Sequence, residues 1–502
     1  MQRRRVLIVA LSVSLLALAM IVWPRSDAPV LPSSGERAAE APSEGPEAER
    51  GGSSEVEEEA HETEERIEAF NEATSEGRFG QAVAATAEPA AGWVGSRVLD
   101  PATDDWEPAV AADPNNPYVY VITTRYGEPK PCKGHCPSPW IGLTISSDGG
   151  DTWSDVEPLC TCTGSGAQYD PTIEVVPNTG AVVAVFLNAD RAGGFSSVYI
   201  RSTDHGETWT DPVHVYGKVA WTDKPEVTTS ANGRDVYVSW NGPQGGDPWM
   251  GQSHDFGETW TQTKLVTSKR YYFAYDADVL PDKSIVFSES SLTYTAPGGS
   301  AEGKVWHHAF ISTNRGDTWE NVIVDKVHLG EPCVSEGCRN DFYTGQTSVS
   351  SDEDGILVYT YEGASVDLGP QAVYVRTSDD GGFTWSGRTA LSVDGENATG
   401  PRVEATGSGD FRLWYMQTEN DDTSSWNVWY RSSTNGGDTW TQAVKISDAP
   451  ADAAGYTDAN GFDEIYGDYG EIDITSEGKA IAVWGEGFSW LGPGGTWFNL
   501  QD

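Results

Sequence analysis

Apolar residues along this chain come in short runs rather than at helical spacing. Residues 181–187 and 356–361 are nearly continuous in apolar and β-branched side chains. Runs of that length read as strands covered on both faces, because a strand with one wet face alternates apolar and polar positions. The runs recur in groups of four. One group predicts strands over 171–176, 181–187, 197–201 and 208–215, and the next over 225–229, 235–240, 249–253 and 259–266. Counting the innermost strand of each group gives seven periods, from 107–112 to 469–474, with six as the alternative count. The last period offers only 479–484 and 495–499 besides its first strand, so residues 92–99 are the segment placed to complete it.

Between the third and fourth strands of six groups, one octapeptide returns: Ser-x-Asp-x-Gly-x-Thr-Trp. It runs from Ser146 through Asp148, Gly150 and Thr152 to Trp153, and its later copies carry Asp204, Asp255, Asn314, Asp380 and Asn435 at the third position. Successive Trp residues are separated by 56, 51, 59, 66 and 55 positions, which is the spacing of a repeat architecture. The chemistry of the octapeptide is that of a turn. The Asp or Asn oxygen accepts backbone N–H bonds, the Gly supplies a positive φ, and the Trp starts the outermost strand and buries a large ring. Asn keeps the acceptor oxygen, which accounts for the fourth and sixth copies. These positions read as structural, not catalytic.

The octapeptide resembles the Asp box, or bacterial neuraminidase repeat, of the sialidase superfamily and related propellers. The resemblance covers residues 79–502 and implies an all-β fold: a seven-bladed β-propeller of four-stranded antiparallel blades, or a six-bladed one on the alternative count. Closing such a ring removes the exposed edges of an open sheet. The resemblance does not fix an activity, since similar boxes occur in xyloglucan-cleaving enzymes, sorting receptors and assembly factors. Sialidases of the superfamily use an Arg triad, a Tyr–Glu nucleophile pair and an Asp acid/base. The first Arg of that family lies in an Arg-Ile-Pro motif on the first inner strand. Here that strand reads Glu107-Pro-Ala-Val-Ala-Ala-Asp113, with no Arg. Arg201, Arg376 and Arg431 recur just before boxes, each two residues after an aromatic, a position that reads as a repeated structural pair with a carboxylate.

The N-terminal residues divide differently. Arg3, Arg4 and Arg5 precede an uncharged, mostly apolar run over 6–23. The expectation is a signal anchor over 1–25, with a cleaved signal peptide as the alternative. Positive-inside orientation places the remainder outside, in the cell envelope, or secreted if the segment is cleaved. Residues 26–78 carry 16 acidic and 4 basic residues and almost no aromatics, which predicts a disordered stalk, with a short helix allowed near 55–70. Residues 79–502 form the propeller. The formal net charge is −44, of which −36 falls on that last region. Such a surface excludes nucleic acid as a partner. It fits a soluble monomer held to the membrane only by its N-terminal segment. The six cysteines fall in close pairs: Cys132 and Cys136, Cys160 and Cys162, Cys333 and Cys338. Outside the cytosol these read as disulfides; a zinc site from Cys132, His135, Cys136, Cys160 and Cys162 is the alternative.

In a propeller, the loops leading into the inner strands lie opposite the boxes, and function sits on such loops. At those positions the sequence places Asp170, Asp223, Asp276 and Asp468. They form either a carboxylate ring able to take Ca²⁺, or local caps of their own strands. Crowded carboxylates raise one another's pKa, so Asp170, Asp223, Asp276 and Tyr343 are the catalytic candidates. Arg125, Arg191, Trp221, Tyr272 and Tyr343 are the candidate ligand contacts, in the manner of a sugar cleft. The leading expectation is a surface-displayed propeller binding carbohydrate, a cell-surface glycoconjugate or another extracellular ligand. It needs no cofactor, with Ca²⁺ as an option. A glycoside hydrolase and a protein-interaction scaffold are the alternatives.

Overall fold

The structure is a computed structural model that describes residues 53–76, 89–101, 103–127, 130–162, 164–190, 195–215, 223–242, 246–295, 300–333, 338, 344–419, 426–447, 464–487 and 489–502. The expected anchor over 1–25 and the first half of the expected stalk lie outside them. No helix among the described residues is long and apolar enough to cross a membrane.

From Asp104 onward the chain is a succession of antiparallel four-stranded units. Each begins with a strand at the centre of the molecule and adds three more outward. The central strands are Asp104–Ala112, Ser165–Val175, Asp223–Thr229, Tyr271–Val279, Thr347–Ser351, Ala398–Ala405 and Glu471–Ile474. Four units are separate four-stranded sheets. The units beginning at Tyr271 and Thr347 join into one eight-stranded sheet, through a single pairing of His328 with Ala364. The last unit is completed from the other end of the chain: Arg97–Val98 pairs with Gly494–Leu500, as the count of strands required. Backbone N–H groups of Val110 and Ala112 in the first central strand donate to Glu471 and Asp473 of the last, so the succession closes into a ring. This is the arrangement of a β-propeller.

Second strands such as Val182–Asp190 and Leu357–Ala364 are buried along almost their whole length, because neighbouring units cover both faces. The fourth strands are shorter than the sequence predicts. Residues 208–215 shrink to Val213–His214, and 259–266 to Thr261–Lys264. The box Trp precedes the strand rather than starting it, because its ring is turned inward. Trp260 stands edge-on to Tyr199, with centroids 5.4 Å apart.

The box works as predicted within the turn. In the third copy Thr259 donates its N–H to Asp255 Oδ1 (2.9 Å) and its hydroxyl to Asp255 Oδ2 (2.6 Å), while Gly257 N–H donates to Ser253 Oγ (2.9 Å). These bonds hold the Asp255 carboxyl down at about 2. In the fourth copy the second bond is reversed: Asn314 Nδ2 donates to Thr318 Oγ1 at 2.8 Å. The box also does something the sequence did not reveal. Each box Gly lies flush against the preceding unit, as Gly257 lies on Tyr199 and Gly206 on Ile145. The turn is therefore a contact between units as well as a connection within one.

Residues 26–78, expected to be a disordered stalk with a short helix allowed near 55–70, contain an α-helix, α1 (Ser53–Ser75), which docks on the sheets. Its Glu and Ala residues favour helix locally. Arg66, Phe70 and Ala73 are buried on one face, and this burial offsets the chain entropy that composition alone could not. Phe70 lies on Gly127, where an added Cβ would come within 3.1 Å of its ring. The cysteines pair locally, Cys132–Cys136, Cys160–Cys162 and Cys333–Cys338, which removes the zinc alternative.

The contact between units gives a direct test. Gly257 has φ +84° and a Cβ there would meet Tyr199 at 2.1 Å, whereas Gly303 has φ +78° and nothing within 4 Å. Gly257→Ala is expected to cost about 3 kcal/mol and Gly303→Ala about 1 kcal/mol in urea unfolding. Equal losses would mean that only the backbone conformation matters at the box.

Candidate functional site

Each central strand has one edge with no partner strand, facing the axis, and its N–H groups need acceptors there. Side chains of the neighbouring central strand supply them at alternate positions. Asp276 and Asp278 accept from Val349 (3.0 Å) and Ser351 (2.5 Å). Ser348 and Ser350 accept from Val403 (3.0 Å) and Ala405 (3.1 Å), and Glu174 accepts from Thr229. Side chains two apart on a strand share a face, so the axis is lined by tiers of acidic groups.

At the end opposite the boxes this alternation is broken by bulges. The register shifts between Trp106 and Ala109, between Tyr169 and Thr172, and between Asp223 and Glu226. Within them Glu107, Asp170 and Lys224 take left-handed φ values of 57°, 49° and 43°, each just before a proline. Gly400 repeats the feature before Pro401. Three non-glycine residues in that region, at equivalent places in successive units, mark a strained and specifically built mouth.

The mouth holds Glu107, Asp170, Lys224, Asp468 and Tyr469. The Lys224 N–H donates to Asp170 Oδ2 at 3.2 Å. Its ammonium pairs with Asp468 and lies 3.4 Å from the Tyr469 hydroxyl. Burial pushes the Asp170 carboxyl up to about 7, against the pull of Lys224. Burial and the adjacent Asp170 charge raise Glu107 well above the carboxylate range. Burial works against the charge on Lys224, but Asp468 leads the groups that keep its ammonium well above the ordinary value. Below the mouth, Glu226, Tyr275, Arg402, Tyr469 and Glu471 line a cavity of about 20 Å³, room for a water molecule and not for a sugar ring. Arg402 closes the cavity by donating to the carbonyls of Gly470 (2.6 Å) and Pro401 (3.0 Å).

The expected four-carboxylate ring does not form. Asp170 and Asp468 meet through Lys224, which stands where a cation would. Asp223 accepts from Asn241 Nδ2 at 3.0 Å, and Asp276 sits a tier lower, capping Val349. Asp276 caps both ways: its Oδ1 accepts from Ala277 N–H of its own strand at 2.7 Å, and its Oδ2 from Val349 of the next unit. Among the described residues no group of three or more His, Cys, Asp or Glu is placed to hold a metal ion. Two expected ligand contacts are structural. Arg125 is buried and bonds Asp105 (2.7 and 2.9 Å) and Asp100 (3.2 Å). Tyr272 is buried inside its own unit, 5.0 Å from His308. Arg191, Trp221 and Tyr343 lie outside the described residues. Of the pre-box arginines, Arg376 pairs with Asp325 (3.1 Å), Arg201 lies over Phe256 and Arg431 donates to the Thr441 carbonyl (2.6 Å); they do not converge.

Glu107 and Lys224 were not among the expected site residues. The signal that would have found them is Glu107-Pro108, Asp170-Pro171, Lys224-Pro225 and Gly400-Pro401, one X-Pro at the same place in four periods.

No protein-family model and no curated protein matches the chain. Solved structures do. A protein of unknown function from Dyadobacter fermentans is 16% identical, with a TM-score of 0.46 over 81% of this chain and 98% of that one. A Hadza microbial sialidase is 15% identical, with a TM-score of 0.44 over 80% of this chain and 66% of that one. An ulvan lyase is 11% identical, with a TM-score of 0.49 over 81% and 94%. Identities this low carry no residue across to this chain.

The axial acids set the pH dependence of stability. Asp473 is pushed up to about 7 and Asp276 to about 6 by burial, and Glu404 and Glu174 well above their ordinary value. A carboxyl raised on folding contributes stability that is complete below its unfolded value near 4 and lost as pH rises through the folded value. Tm is therefore expected to fall, on the order of 5 °C, from pH 5 to pH 8. Glu404→Gln should reduce that slope by raising Tm at pH 8 more than at pH 5. Thermal melts that are flat, or that rise with pH, would contradict the protonated axis.

Proposed function

We propose that this chain is a seven-bladed propeller of the Asp-box kind that binds carbohydrate or another extracellular ligand across its mouth, opposite the boxes. The observation that carries the reading is the cluster of Glu107, Asp170, Lys224, Asp468 and Tyr469, buried or half-buried, the first three held in left-handed backbone at equivalent bulges. Donors and acceptors fixed beside an aromatic ring suit hydroxyl-rich ligands, and strain of this kind persists where a site requires it. The absence of an Arg on the strand that begins at Asp104 argues against capture of a sialoside carboxylate there. In this reading the segment over 6–23 anchors a monomer in the cell envelope with the propeller outside. Binding needs no cofactor, and added Ca²⁺ or a chelator leaves it unchanged.

A second reading, glycoside hydrolysis, is favoured by one observation. Asp170 is pushed up to about 7, so it holds a proton near neutral pH as a general acid must. One experiment separates the two. The full chain is screened on a glycan array and against a panel of fluorogenic glycosides, alongside Asp468→Asn and Asp170→Asn. Saturable glycan binding without turnover, weakened tenfold or more by Asp468→Asn at unchanged Tm, is the expected result. Turnover abolished by Asp170→Asn would replace the binding reading with the hydrolase. Neither binding nor turnover would sink both and leave an interaction scaffold.

A further inference from the structure

The mouth has a neighbour that the axial reading does not use. Beside Glu107, on the same face, Trp106, Tyr126, Tyr466 and Trp490 surround the guanidinium of Arg66 from α1. Its Cζ lies 3.4 Å from the Trp106 ring centroid, 5.1 Å from Trp490, 5.5 Å from Tyr126 and 5.6 Å from Tyr466. Arg66 also donates to the Trp490 carbonyl at 3.0 Å and is 1% exposed. A guanidinium over several aromatic faces is attracted by their quadrupoles, most strongly out of water.

The cage belongs to the sheets, not to the helix. Trp106 stands edge-on to Tyr466 and Trp490, with centroids 4.3 Å and 4.7 Å apart. Tyr466 donates to Asp104 Oδ1 at 2.7 Å, which also accepts from Gly494 N–H at 2.9 Å. Tyr466 is seated on a bed of glycines. A Cβ at Gly494 would come within 2.2 Å of its ring and one at Gly492 within 2.5 Å of its hydroxyl, so the sequence leaves room for this wall at several positions. Asp104 is wholly buried, and its Oδ2 has no hydrogen-bond partner, a free acceptor beside the one cation in the cage. Burial pushes its carboxyl up to about 7 even with Arg66 nearby.

Against this built site, α1 brings little else. Its sequence holds nine Glu and a single Arg, and among its described side chains Arg66, Phe70 and Ala73 are the buried ones. It lies on the ligand face, where Thr63 Oγ1 meets Tyr169 Oη at 3.1 Å, one residue from Asp170. Arg66 is the one cation in the sequence of this acidic helix, and the cage receives it.

We propose that the cage of Trp106, Tyr126, Tyr466 and Trp490 with Asp104 is a recognition site for a guanidinium group presented by an arginine side chain, and that Arg66 occupies it in cis. An external arginine then competes with α1 for the face beside the mouth. This site stands apart from the axial cluster and does not require the axial reading to hold. Arg66, being tethered, competes at a high effective concentration, so the external ligand needs millimolar concentrations or several contacts to displace it.

The test uses the full chain and acetyl-arginine-amide, with acetyl-citrulline-amide as the uncharged match in shape. In the unmodified protein, hydrogen exchange of α1 is expected to accelerate with the arginine amide at millimolar concentration and not with the citrulline amide. In Arg66→Ala and Arg66→Gln, the arginine amide should quench tryptophan fluorescence saturably, at least tenfold more tightly than in the unmodified chain. That response should be lost when Trp106→Leu is added. Unchanged exchange of α1 in the unmodified protein, or equal responses to the two amides, would overturn the proposal whether or not the variants fold.

Discussion

Every central strand of this ring has one edge that no strand covers, and unpaired N–H groups on a dry axis are not tolerated. The chain meets this with side chains two apart on each strand, accepting from N–H groups two apart on the next. The pairs Asp276 and Asp278, Ser348 and Ser350, and Glu471 and Asp473 all do so. The last pair closes the ring, since it bonds the first central strand. Most of the acceptors are acids, so closing the ring crowds carboxyls into a space with little water. Their raised pKa values follow from that placement, because desolvation is the largest cause for each.

The mouth grows out of the same arrangement where it is interrupted. Bulges at Glu107, Asp170 and Lys224 take these residues out of the alternating pattern and into left-handed backbone. The unit beginning at Ala398 puts the uncharged Gly400 at the comparable position, with Arg402 and Glu404 deeper in. Charge at the mouth is thus concentrated on the units beginning at Asp104, Ser165, Asp223 and Glu471. That is also the side on which α1 docks, through Trp106, Tyr169 and Trp490.

Much of this was legible in the sequence, and the rest was hidden for identifiable reasons. The apolar runs and the box spacing carry the four-stranded units, because both reflect local strand and turn chemistry. The closing strand at Arg97–Val98 followed from counting. The partners of Asp223 and Asp276 could not be read, since an acceptor's choice between Asn241 in its own unit and Val349 in the next depends on strand geometry and not on residue type. Arg125 was misread because a buried arginine with two carboxylates has the same composition signal as a cleft arginine. The docking of α1 escaped because its apolar content is low. Arg66, Phe70 and Ala73 are buried on a helix that composition places among disordered segments.

The two ends of the molecule treat their carboxylates in opposite ways, and this separates their roles. At the boxes, Asp255 and its equivalents are half-buried or exposed and held down by Thr and Ser hydroxyls and backbone N–H groups, so they stay ionised and the turns stay fixed through the neutral range. On the axis and at the mouth, Asp170, Asp473 and their neighbours take up protons close to neutrality. The effective charge of the folded region is therefore less negative than its formal value. Box turns flush against the preceding unit cannot move without opening a contact between units, as the position of Gly257 on Tyr199 shows. Groups at the mouth and on the axis change charge near neutrality while the boxes do not.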